Sequence, residues 1–183
     1  MNKPLTFKLS LLMAGLLALP MAQASSMSKA NYSAAKTRIG ADYKAAQGAC
    51  ATRAGNAKDV CVEEAGAKQK VARAELEYSY SGKPDDRNKL NMVKAESAYS
   101  VAKEKCDDRD GNAKDVCIQE AKAVETKAIA DAKMSQQVGE ARVESAEAKR
   151  DADYKVAVEK CDALAGDAKA SCLSTAKVSF GKS

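Results

Sequence analysis

The chain is expected to be all-α: an up-and-down array of about six helices forming three helical hairpins, each stapled by one disulfide. Three observations predict this class. Alanine is the dominant residue, with lysine and glutamate abundant, and all three are good helix formers. Six cysteines fall into three pairs, and each pair encloses ten residues. The segments around the pairs recur every 55 to 56 residues, the mark of an internal repeat.

The first 24 residues form an export leader rather than part of the fold. Lys3 and Lys8 are its basic start, Leu9 to Leu19 its short apolar core, and Ala22-Gln23-Ala24 a small-x-small cleavage site after Pro20. The apolar run is too short to span a bilayer, so residues 25–183 are expected to be a single exported helical domain without a transmembrane segment. The expected compartment is the periplasm, or beyond it the extracellular space. Within the domain the repeat units run over about 28–83, 84–138 and 139–183.

Each unit is built around a loop, and the three loops align without gaps. They read Cys50-ATRAGNAKDV-Cys61, Cys106-DDRDGNAKDV-Cys117 and Cys161-DALAGDAKAS-Cys172. Gly55, Gly111 and Gly166 stand where a helix end commonly needs a left-handed residue. Asn56, Asn112 and Asp167 follow directly and are preferred N-cap types for the next helix. One helix is therefore expected to stop at the glycine and another to start beside it. In a single straight helix the paired cysteines would stand roughly 16 Å apart, well beyond disulfide reach. With a turn at the glycine they face each other about one and a half turns from the bend. The expected pairs are Cys50–Cys61, Cys106–Cys117 and Cys161–Cys172, all at one end of the array.

The flanking helices carry the seam along which hairpins close. Tyr32, Ala35, Ile39, Tyr43, Ala46 and Cys50 step by three or four residues, and Met92 to Cys106 repeats the pattern. On the second return arm the matching face is read as Cys117, Ala121, Val124, Ala128 and Ala132. At the far ends Ser81-Gly82-Lys83-Pro84-Asp85 is a clear stop and restart. Its counterpart, Ser135-Gln136-Gln137-Val138-Gly139, is weaker, so helices four and five could run on with a kink. Val62, Ile118, Leu173, Val101 and Val156 lie off the seam and argue for hairpins packing on one another.

Composition limits function. Leu, Ile, Val and Phe number only 20 in residues 25–183, too few for a generous core, which gives the disulfides a structural reason. The net charge is +5, two units of it in the leader, so no nucleic-acid partner is expected. There is no histidine, and the cysteine spacing suits neither a zinc site nor a CxxC redox pair. No metal, cofactor or catalytic residue is expected, and the chain is read as a non-enzyme. Tyr43, Tyr99 and Tyr154 each stand seven residues before a loop. They cover the alanine-rich seam in the plainer reading and form a candidate ligand surface in the sharper one.

The repeated pattern DYKAAQGACATRAGNAKDVCVEEA and AYSVAKEKCDDRDGNAKDVCIQEA resembles small exported Ala/Lys/Glu-rich proteins of Gram-negative proteobacteria. Some of these carry a cell-envelope label because they look like the helical stalk of the TolA protein. The resemblance covers most of residues 25–183 and implies an envelope setting without implying any functional residue. The expected role is that of a structural or interaction protein presenting coiled-coil-like helical faces to an envelope protein or to itself. The alternative is a module with weak affinity for an anionic envelope surface such as lipopolysaccharide or lipid.

Overall fold

In the computed structural model, residues 27–182 are described, so the leader at 1–24 lies outside the described residues. Five helices follow in order: α1 (Lys29–Cys50), α2 (Gly55–Ser81), α3 (Pro84–Cys106), α4 (Gly111–Asp162) and α5 (Gly166–Phe180). Local chemistry sets most of the ends. Ser28 caps α1, its hydroxyl accepting from the Asn31 backbone N–H at 3.1 Å. α2 closes on Gly82, whose φ of +64° is left-handed and whose N–H donates to the Tyr78 carbonyl at 2.8 Å. Pro84 then opens α3 at its first position, where a missing N–H costs nothing.

The three expected disulfides are formed, with Cα–Cα distances of 5.6, 5.7 and 5.7 Å. Cys50, Cys106 and Cys161 are the most deeply buried large side chains of the described residues. α1 packs on α2, α2 on α3, α3 on α4 and α4 on α5, and among the described residues no other helices meet. The helices therefore enclose no central core: α1, α2, α3 and the first half of α4 pack in sequence, and α5 packs on α4 alone. Apart from cysteine, only Leu76 and Leu90 among the buried apolar side chains are larger than alanine. So little apolar burial leaves the staples a large share of the stability, at about 2 to 3 kcal/mol each.

Two expectations about the array are corrected. There are five helices, because the fourth and fifth are one: α4 runs for 52 residues, or about 78 Å. Ser135 to Gly139 contains no proline, and one glycine inside a helix costs only about 1 kcal/mol, so nothing there forces a turn. The staples consequently do not share one end. The first two sit together, since Lys105 at the end of α3 reaches Glu64 near the start of α2 at 2.7 Å. The third lies 44 residues further along α4 than Cys117, about 66 Å away. The hairpin-on-hairpin packing expected from the off-seam aliphatics holds between the first two units, where Val62 and Val101 are half-buried, whereas Val156 is 53% exposed.

Candidate functional site

The bends differ in one respect from the sequence expectation. Gly55, Gly111 and Gly166 do take the left-handed φ, at +55°, +54° and +55°. They open the returning helix instead of closing the incoming one. The N-cap positions are Ala54, Asp110 and Ala165, each extended and without a side-chain cap bond. Asn56, Asn112 and Asp167 thus lie inside the first turn and are not N-caps. The reason is where the incoming helices stop: α1 and α3 end at the cysteine itself. The short turns that follow, Arg53 N–H to Cys50 carbonyl and Arg109 N–H to Cys106 carbonyl, both 3.0 Å, bring the chain round before the glycine is reached. Two loops gain an ion pair across the bend, Lys114–Asp107 at 3.0 Å and Lys169–Asp162 at 2.9 Å. In the first loop Ala51 stands where Asp107 stands in the second.

The three tyrosines are each half-buried beside a staple. Tyr43 accepts a hydrogen bond from Gln47 on the same helix at 2.6 Å. Tyr99 carries the Lys122 ammonium 4.8 Å from its ring centroid, a cation–π contact from α3 to α4. Tyr154 meets Phe180 edge-on at 6.1 Å across α4 and α5. They occupy separate hairpins: α1 and α3 do not touch, and Tyr154 lies at the far end of α4. The structure does not gather them into one surface.

On α4 the seam turns inward through Glu125 where Val124 was expected. Glu125 is 7% exposed and pairs with Lys122 at 2.6 Å, while Val124 is 66% exposed. The hydrogen bond from the Lys122 ammonium to Glu125 raises the lysine pKa above its ordinary value. The first hairpin offered a signal for this: Gln69, the repeat equivalent of Glu125, is also a polar residue on the seam.

Beyond the α3 hairpin, every residue of α4 from Gln137 to Asp153 is exposed. Val138, Val143 and, further on, Val156 join Val116, Val124 and Met134 as exposed apolar side chains along this one helix. Where α4 passes the start of α3 it leaves an open groove of about 780 Å³ lined by Pro84, Asn88, Gly139, Val143 and Glu147. No helix among the described residues is long and apolar enough to cross a membrane. Comparison with protein-family models, with curated proteins and with solved structures finds no match.

Proposed function

We propose that the chain is a non-enzymatic structural or interaction protein of the periplasm, whose working surface is the exposed face of α4. One observation carries this reading: a single helix about 78 Å long stands bare over its middle and displays Val116, Met134, Val138, Val143 and Val156 to solvent. Val116, Met134, Val138 and Val156 fall on one side of the helix, and exposed apolar side chains gathered on one side mark a contact surface. Three disulfides fit an oxidising, exported setting. The bare stretch at 137–153 carries five acidic and three basic side chains, an acidic excess that favours a protein partner over an anionic surface.

A photo-crosslinking residue placed at Val138 in the exported protein tests the proposal inside the cell. Discrete protein adducts, retained in moderate salt, are expected. Adducts to lipid or lipopolysaccharide that vanish with salt would overturn it in favour of an electrostatic surface binder.

A further inference from the structure

We infer that a second copy of this chain lies antiparallel along α4, in the register that α3 adopts on α2. The inference rests on α4 being an interaction surface and identifies its occupant.

The internal repeat supplies the template. α2 meets α3 through a stripe of Val60, Glu64, Ala67, Val71, Ala74 and Tyr78, all half-buried or buried except for the Glu64 carboxylate, which pairs with Lys105. α3 answers with Leu90, Val93, Ser97 and Val101. The repeat carries the first stripe onto Val116, Glu120, Ala123, Lys127, Ala130 and Met134, in the first half of α4. It carries the second onto Ser145, Ala148, Ala152 and Val156, in the second half. All ten are exposed. Because α4 runs straight where α2 and α3 turn back, the two halves of one interface are displayed on one rod and cannot reach each other.

Charge gives the occupant. Two ion pairs lock α2 to α3: Glu75–Lys94 at 2.8 Å and Glu64–Lys105 at 2.7 Å. Their repeat equivalents are Asp131 with Lys149 and Glu120 with Lys160, so both pairs keep their signs. Within one chain these partners are 18 and 40 residues apart on the same helix, about 27 and 60 Å. A second α4 laid antiparallel brings all four charges together twice, once on each side of a two-fold axis. The register places that axis at Glu140, and it also sets Lys127 opposite Asp153, a pair absent from the template. Glu140 itself points about 120° away from the stripe, and Ala141, which lies on it, lets the two backbones approach closely at the axis. Such an interface is isologous, and it exchanges between chains the contact that a closed hairpin would make within one.

Light scattering on the full exported, oxidised chain tests the pairing. A dimer is expected. Asp131→Lys is expected to weaken it on the order of tenfold or more, because two symmetric attractions become repulsions. Adding Lys149→Asp to that variant restores the dimer. Unchanged helical circular dichroism shows that the variants fold. A chain that stays monomeric at high concentration overturns the inference, as does a dimer indifferent to Asp131→Lys. A monomer that still yields discrete crosslinks from Val138 to other proteins leaves the broader reading standing and removes only the self-pairing.

Discussion

The Lys105 ammonium sits 2.7 Å from a carboxylate oxygen of Glu64, tying the last turn of α3 to the early turns of α2. This contact holds the first two staples at the same end of the array. It also lowers the Glu64 pKa below its ordinary 4.5, chiefly through the hydrogen bond from Lys105, with Lys68 and Arg53 assisting. A carboxylate with a depressed folded-state pKa contributes stability that is complete above its unfolded value and fades as pH falls through the folded one. A carboxyl NMR titration should therefore place Glu64 below 4.5, and Lys105→Met should move it upward. Because the pair is largely exposed, losing it should cost at most about 1 kcal/mol. A wild-type midpoint at or above 4.5 would remove the pair from the account.

Loss of the second and third staples should be felt differently. Replacing Cys106 and Cys117 by serine releases the bend between α3 and α4, and should cost about 2 to 3 kcal/mol in urea unfolding. α5 has only 15 residues and packs on α4 alone, and a helix of that length is marginal by itself. With Cys161 and Cys172 replaced by serine, amide exchange in residues 166–180 should become nearly unprotected while α2 and α3 keep their protection. Persistent protection of α5 would show that Tyr154–Phe180 and the 2.5 Å Lys182–Asp151 pair suffice without the staple.

The same substitution should act with opposite signs at two glycines. Gly40 lies within α1, and a Cβ built there meets nothing within 4 Å. Gly40→Ala should stabilise by roughly 0.5 to 1 kcal/mol, since alanine has less freedom to lose. Gly111 has equally open surroundings but a φ of +54°. Gly111→Ala should destabilise by about 1 to 2 kcal/mol through left-handed strain alone. Urea midpoints at unchanged m-value separate the two, and equal shifts would contradict the assigned conformation.

Small-angle scattering reads the continuity of α4 directly. A helix of 52 residues requires a maximum dimension of at least about 78 Å. A chain folded back near Gly139 into a compact bundle of helices no longer than the roughly 40 Å of α2 would fall well below that. The smaller value would restore the six-helix array.

What the sequence disclosed tracks how local each signal is. The staples, the left-handed glycines and the Gly82-Lys83-Pro84 turn are settled within a few residues, so pattern and spacing sufficed. The caps were misplaced by two residues because Asn56 and Asn112 have N-cap chemistry, yet the incoming helices had already ended at Cys50 and Cys106. Glu125 was passed over in favour of Val124 because apolarity ranked above phase; the lysine bond that makes its burial tolerable comes from Lys122, one turn away. Whether a helix continues through Gln136-Gln137-Val138-Gly139 was not legible, because the competing hairpin draws on contacts far along the chain. Two of the tyrosines show the same divide: Lys122 beside Tyr99 and Phe180 beside Tyr154 are close in space but distant in sequence.

A continuous helix also fixes an azimuth. Every residue of α4 advances the chain by about 1.5 Å and turns it by a hundred degrees or so, so the number of residues between Cys117 and Cys161 sets both how far away the terminal hairpin stands and which way it points. Deleting one residue from the bare stretch near Ser145 would barely change its reach but would swing α5 through more than a quarter of a circle. Removing seven would return it almost to its starting bearing, one heptad nearer. The 137–153 segment is thus a gauge of orientation as much as of distance, and its length is a coordinate that selection or design can adjust in steps.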